Sequence, residues 1–117
     1  MPKSAKDYLD EAKSQINTIS KQEAQALDPS ETIFVDVRPK EAFDKGHIEG
    51  AVHAERGLLE FYTDPSHPFH KPELSQDKNI VVYCELGGQS ALSSKLMQDM
   101  GVKKVFNLDG GYQSWSK

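Results

Sequence analysis

Continuous apolar runs alternate along this chain with segments whose apolar residues recur at helical spacing. Residues 80–84 form the longest apolar run and predict a strand that is buried on both faces. Residues 90–100 follow with helical spacing, and Gly101 stands where such a helix would end. Residues 32–37 are rich in β-branched and aromatic side chains and predict a second strand. We therefore expect strands and helices to alternate through the middle of the chain.

Helical spacing also marks the beginning of the chain. Residues 4–16 carry apolar side chains on one face and charges of both signs on the other, which predicts an amphipathic helix that packs on one side of the domain. Residues 18–19 are compatible with a short strand. Ser20 and Glu23 have the spacing of a capping box, which predicts a short second helix. Pro39 fits the first position of a third helix.

Shorter patterns complete the chain. Residues 46–52 predict a turn that leads into a short strand, and residues 58–62 predict a brief helix. Residues 63–79 contain three of the six prolines and predict a surface segment without regular structure. A last strand over residues 105–108 and a closing helix over residues 112–115 follow. This order predicts an α/β fold, a three-layer sandwich in which a mainly parallel sheet has helices on both faces.

The composition narrows the possible roles. The chain has 117 residues, which fits one domain, and 37% hydrophobic residues suffice for a single core. Eighteen acidic and fourteen basic side chains give a net charge of −4, so neither nucleic acid nor an anionic membrane is an expected partner. No apolar run approaches the roughly 20 residues of a membrane-spanning helix. The N-terminus lacks the apolar segment of a secretory signal, so we expect a cytoplasmic location.

Cys84 is the one cysteine of the chain and ends its most apolar predicted strand. It cannot form an internal disulfide, which suits a reducing compartment. Ligands of open α/β sheets bind beyond the carboxyl ends of the strands, where Gly87 and Gly88 allow backbone N–H groups to turn towards one point. Such groups stabilise a thiolate or an oxyanion. The spacing alone leaves open the alternative that Cys84 is a small buried apolar residue.

Four segments extend this observation beyond the cysteine. Their sequences are DVR at residues 36–38, GHIEGA at residues 46–51, CELGGQS at residues 84–90 and NLDGGYQSW at residues 107–115. In this order they resemble the rhodanese family, and the resemblance covers residues 18–115. We therefore expect an N-terminal packing helix over residues 1–17 and a rhodanese-like domain over residues 18–117.

The resemblance implies a sulfurtransferase that needs no metal or organic cofactor. Cys84 would be the catalytic nucleophile, which takes a sulfane sulfur from thiosulfate or a protein persulfide and passes it to cyanide or a thiol acceptor. The intermediate would be a cysteine persulfide, and backbone N–H groups of the following loop would stabilise its charge. The implied substrate-binding residues are Glu85, Leu86, Gly87, Gly88, Gln89, Ser90 and Arg56.

Two residues of the loop depart from the family pattern. Many active members end the six-residue cysteine loop with an arginine, whereas this chain has Gln89, which donates hydrogen bonds but carries no charge. Glu85 adds a negative charge directly after the nucleophile. We expect Arg56 to supply the compensating cation and Arg38 to pair with an acidic neighbour.

Other functions have weaker support in the sequence. Gln89 leaves open a noncatalytic rhodanese-like binding module, or a sulfur carrier with weak thiosulfate activity. Dual-specificity phosphatases and arsenate reductases resemble this fold, but their cysteine loops are typically one residue longer. The six residues 84–89, without a terminal arginine to clamp phosphate, therefore argue against phosphoryl transfer. His67 and His70 lack the paired spacing of a structural zinc site, so we expect no metal.

Overall fold

Five parallel strands, in the spatial order β1-β5-β4-β2-β3, form the centre of the computed structural model, which describes residues 1–117. The strands are β1 (Asn17–Ile19), β2 (Thr32–Asp36), β3 (Val52–His53), β4 (Asn79–Tyr83) and β5 (Val105–Leu108). The helices are α1 (Ala5–Gln15), α2 (Lys21–Gln25), α3 (Lys40–Lys45), α4 (Leu59–Thr63), α5 (Gly88–Asp99) and α6 (Gly111–Trp115). The predicted α/β class with a parallel sheet is confirmed.

Strand β4 lies in the middle of the sheet because its side chains are apolar on both faces. Ile80 and Val82 pack with Met97 of α5 in one core cluster, whereas Val81 and Tyr83 belong to a second cluster. Successive side chains of a strand point to opposite faces, so the two clusters lie on the two sides of the sheet. Burial of each aliphatic side chain contributes about 1.5–3 kcal/mol. The strand that precedes the cysteine is therefore firmly held.

Local sequence signals place the first helices. Ser20 Oγ accepts a hydrogen bond from Glu23 N–H at 3.0 Å, and Glu23 Oε1 accepts one from Ser20 N–H at 2.8 Å, which confirms the predicted capping box. Pro39 is the cap of α3 and lies one residue before its first helical residue, Lys40. Helix α1 packs against α5. No helix of the chain combines the length and the apolar character needed to cross a bilayer.

The structure differs from the sequence prediction at the start of α5 and within the segment 63–79. Helix α5 begins at Gly88, two residues before the predicted start, because Gly87 adopts a left-handed φ of 113° that turns the chain directly into the helix. The segment 63–79 is not wholly irregular, since it contains a 3₁₀ turn over Pro72–Ser75. The earlier start of α5 brings its first turn up to the end of β4.

Candidate active site

Cys84 directly follows β4, at the carboxyl edge of the sheet, and α5 starts four residues later. Its Sγ accepts hydrogen bonds from Gly87 N–H at 3.1 Å and from Ser90 N–H at 3.3 Å. The residue is only 4% exposed, so water screens these contacts poorly. Two main-chain donors and the N-terminal turn of α5 thus surround the sulfur in the arrangement that stabilises negative charge.

A buried polar chain leads away from the sulfur. Cys84 Sγ lies 3.3 Å from Ser90 Oγ, and Ser90 Oγ donates to Asn107 Oδ1 at 2.6 Å. Asn107 Nδ2 in turn lies 3.4 Å from Thr18 Oγ1. Ser90 and Asn107 are almost completely buried. The chain couples the thiol to β5 and to β1, the edge strand beside it.

Asn107 was not among the residues predicted for the site. The sequence did indicate that Asn107 is hydrogen-bonded, because an amide side chain in a buried strand requires a hydrogen-bond partner. Asn107 has Phe106 and Leu108 as its apolar neighbours in β5. What the pattern lacked was the identity of that partner, which is Ser90.

A cavity of about 400 Å³ opens beside the thiol. The residues that line it are Arg38, Pro39, Ala42, Cys84, Glu85, Leu86, Gly88 and Gln89. Five of the seven sequence-predicted loop positions, including Cys84, thus line the cavity, while Gly87 and Ser90 contribute N–H groups to the sulfur. Leu86 is 66% exposed and forms part of the rim. The cavity is large enough for a small sulfur donor.

Arg38 is the cation of this cavity, and its charge is already paired. Its Nη2 lies 2.8 Å from Asp36 Oδ2, and its Nη1 lies 3.1 Å from Glu85 Oε1. The guanidinium also covers the ring of Tyr112, 4.4 Å from its centre. Burial opposes the charge of Arg38, but the hydrogen bond and charge of Asp36, together with the hydrogen bond of Glu85, outweigh burial and raise its pKa. Arg38 therefore stays charged, in contact with two carboxylates.

Arg56 does not occupy the position expected for it. It starts the 3₁₀ turn Arg56–Leu58, and its Nη1 lies 3.5 Å from Glu60 Oε1. Its side chain lines a separate groove with residues of α1 and α5, and it is absent from the lining of the cavity beside the thiol. The structure therefore does not bring Arg56 into the cavity beside the thiol, where a compensating cation was expected. The physical reason is that its turn directs the guanidinium towards Glu60, one helical turn ahead.

Helix α6 supports the cysteine loop from outside. Tyr112 N–H donates to Cys84 O at 2.8 Å, and Gln113 N–H donates to Glu85 O at 3.1 Å. Gly111 permits this approach, since a Cβ atom there would lie 2.5 Å from Cys84 O, and its φ of 59° is left-handed. Gly111 belongs to the segment of residues 107–115 that carries the family resemblance, but its contact with the nucleophile's backbone could not be read from the sequence.

His47 and His53 each contact the backbone of a neighbouring segment. His47 Nδ1 lies 2.8 Å from Phe43 O, and His53 Nε2 lies 2.7 Å from Arg38 O. One ring nitrogen of each histidine is thus hydrogen-bonded to a backbone carbonyl. Neither histidine lines the cavity beside Cys84.

Together with the parallel sheet, this arrangement is typical of α/β domains that present a cysteine loop at the sheet edge. The chain belongs to the Rhodanese-like domain family, whose model matches residues 18–117. It is 30% identical over 103 residues to thiosulfate sulfurtransferase GlpE of Ectopseudomonas mendocina (strain ymp), which covers 87% of this chain and 86% of that protein. Rhodanese-type sulfurtransferase activity in general is therefore supported.

Two further similarities bear on the function. The putative sulfur carrier protein YrkF of Bacillus subtilis (strain 168) is 31% identical over 93 residues, which are 79% of this chain and 46% of that protein. A solved structure from Rhodopseudomonas palustris CGA009, of unknown function and described as a possible tyrosine phosphatase, has a TM-score of 0.90 and 40% identity. That similarity covers 99% of this chain and 94% of the other, so it includes α1.

Proposed function

We propose that the protein transfers a sulfane sulfur from thiosulfate or a persulfide donor to a thiophilic acceptor, with Cys84 as the nucleophile. The single observation that carries the proposal is the convergence of Gly87 N–H and Ser90 N–H on Cys84 Sγ, at 3.1 and 3.3 Å. A sulfur held in this way is suited to carry negative charge as a thiolate. A sulfur transferase needs that charge in the free protein.

The reaction proceeds in two covalent steps. The Cys84 thiolate attacks the outer sulfur of thiosulfate, the sulfur–sulfur bond of the donor breaks, and sulfite leaves with the electron pair. Cyanide or a thiolate acceptor then attacks the terminal sulfur of the Cys84 persulfide. The bond to Cys84 Sγ breaks, and the thiolate is regenerated. The acceptor leaves as thiocyanate or as a new persulfide, so atoms and electrons balance.

The loop backbone serves both steps. The thiolate and the persulfide are both anionic, and preformed N–H donors stabilise such charge without reorganisation. Gly88 and Gln89 line the cavity at the start of α5, where the helix dipole also favours an anion. Glu85 and Leu86 also line the cavity. We propose that these four cavity-lining residues bind the substrate. Arg56 is left out of this set because it does not line the cavity.

A sulfur carrier is the second candidate function. It is favoured by the charge of the cavity, since Arg38 is already paired with Asp36 and Glu85 and the loop ends in Gln89. A carrier would accept sulfur from a persulfidated protein and would have weak activity with free thiosulfate. The similarity to a putative sulfur carrier protein agrees with this candidate.

The unpaired thiol would persist best in a reducing compartment, so we propose a cytoplasmic location.

Phosphoryl transfer fits the site less well. A tetrahedral phosphate dianion needs a cation that can bind it bidentately. The cavity beside Cys84 offers Arg38 alone, and the fork of this guanidinium is engaged by Asp36. The Rhodopseudomonas palustris protein is described as a possible tyrosine phosphatase, so phosphatase activity should be measured as well.

Intact mass spectrometry tests the proposal. The protein is incubated with thiosulfate, and separately with a persulfide donor, before its mass is measured. We expect a gain of one sulfur atom that Cys84→Ser abolishes. Gain from both donors indicates the enzyme, gain from the persulfide alone indicates the carrier, and no gain from either would contradict both. Hydrolysis of an aryl phosphate would instead support the phosphatase.

A further inference from the structure

Glu85 directly follows the nucleophile in the sequence. It binds the edge of the Arg38 guanidinium that Asp36 leaves unoccupied, and Arg38 is the one basic residue that lines the cavity. Its Oε1 accepts a hydrogen bond from Arg38 Nη1 at 3.1 Å, while Asp36 binds Nε and Nη2 of the same guanidinium. We propose that Glu85 is a specificity-determining residue, which withholds Arg38 from anionic donors and makes the site select neutral or cationic ones. The inference rests on the proposed sulfur transfer and names its substrate class.

The two carboxylates on Arg38 have different environments. Asp36 is completely buried and also accepts a hydrogen bond from Arg38 N–H at 2.9 Å, so it orders the turn after β2. The Glu85 side chain is 55% exposed and lies at the cavity lining. The one carboxylate of Asp36 already balances the single positive charge of Arg38. Glu85 therefore adds a second negative charge at the cavity lining.

The sum of charges decides which donors enter. Arg38 and Glu85 are the charged residues in the lining, and Asp36 stands directly behind Arg38. One guanidinium and two carboxylates leave a net charge of −1. Gln89 adds a hydrogen-bonding amide without charge. Thiosulfate, a dianion, is repelled by this arrangement, whereas a neutral or cationic sulfur donor is not, because charge complementarity governs approach to such a site.

A charge series of thiol reagents measures this selectivity apart from sulfur transfer. Methyl, trimethylammonioethyl and sulfonatoethyl methanethiosulfonate are neutral, cationic and anionic reagents with one shared reaction. The Cys84 thiolate attacks the sulfenyl sulfur, methanesulfinate leaves with the electron pair, and a mixed disulfide forms. Because Cys84 is the one cysteine, intact mass reports its modification alone. The rate of each reagent with the protein is divided by its rate with free 2-mercaptoethanol. This ratio removes differences in intrinsic reactivity among the three reagents.

We expect the cationic reagent to react faster than the anionic one with the natural protein. Glu85→Gln should lower this ratio about fivefold, and the difference should shrink at high salt. Glu60→Gln is the matched control, because Glu60 is also half-exposed and also pairs with an arginine, but lies outside this cavity. It should leave the ratio unchanged. An unchanged ratio in Glu85→Gln, or an initial preference for the anion, would overturn the inference.

A second measurement separates this inference from the proposed function. Glu85→Gln should increase sulfur uptake from thiosulfate relative to the Glu60→Gln control. If the reagent ratio shifts but neither variant nor the natural protein gains sulfur from any donor, the electrostatic role of Glu85 stands and sulfur transfer is contradicted. If sulfur transfer occurs with an unchanged reagent ratio and unchanged thiosulfate uptake, the function stands and the role of Glu85 is contradicted.

Discussion

Ser90 Oγ donates a 2.6 Å hydrogen bond to Asn107 Oδ1, and this bond determines which side of the hydroxyl faces the cysteine. The single hydroxyl proton points to Asn107, so Ser90 Oγ accepts the hydrogen bond of the Cys84 thiol, whose Sγ lies 3.3 Å away. Ser90 also supplies a backbone N–H to the same sulfur. One residue of α5 thus contacts the sulfur with two groups, and β5 fixes the orientation of one of them.

This pairing predicts non-additive stability effects. Asn107→Leu leaves the buried Ser90 hydroxyl without its acceptor and should cost about 1–3 kcal/mol in the free energy of unfolding. Adding Ser90→Ala should recover part of this loss, because the unpaired polar group is removed as well. Urea denaturation of the two single variants and the double variant measures the coupling. Strictly additive losses would indicate that the two side chains act independently.

Restoring a loop cation should increase activity with thiosulfate. Gln89→Arg places a permanent charge in the cavity lining, and the stronger charge-assisted hydrogen bond should raise thiosulfate turnover about tenfold. Thiocyanate formation with cyanide as acceptor provides the assay. Gln76→Arg makes the same charge change on an exposed residue outside the cavity and serves as control. Equal turnover in both variants would mean that the backbone donors already meet the electrostatic demand.

The contact between α6 and the cysteine loop predicts a sensitive glycine. Gly111→Ala would place a Cβ atom 2.5 Å from Cys84 O and 2.6 Å from Glu85 O at a left-handed φ, so the loop must shift. We expect a stability loss of more than about 2 kcal/mol together with loss of sulfur uptake. Gly50→Ala is the matched control, because Gly50 has a φ of 81° but no atom near its Cβ position. Thermal denaturation and intact mass should rank Gly111→Ala far below Gly50→Ala.

The Tyr83 phenol predicts a loss of stability at alkaline pH. Burial raises the pKa of Tyr83 above its ordinary value of 10.0, although its hydrogen bond from Ile48 N–H opposes the shift. The unfolded chain therefore releases this proton first, and stability should fall as pH rises above about 10. Tyr83→Phe should remove this slope while it lowers stability at neutral pH, since Ile48 N–H loses its acceptor. Urea midpoints across alkaline pH would contradict the assignment if both proteins had the same slope.

Much of the architecture could be predicted from short-range patterns. The apolar run before Cys84 predicted the central strand, and the spacing of Ser20 and Glu23 predicted a helix start that the hydrogen bonds confirm. These patterns depend on residues a few positions apart, so they can be recognised without knowledge of the rest of the chain. The cysteine at the end of a buried strand likewise followed from the pattern. The division of the chain at residue 18 stays a prediction.

The partners of the site were decided by the tertiary structure. Arg38 and Arg56 both follow strand-like segments, and nothing local distinguished the arginine that lines the cavity from the one that binds Glu60. Ser90 and Asn107 meet across 17 residues of sequence because β4 and β5 pair in one register and α5 packs over them. Sequence by itself determined the elements and the position of the thiol. The charges and hydrogen bonds around the thiol depended on long-range packing, which no local pattern encodes.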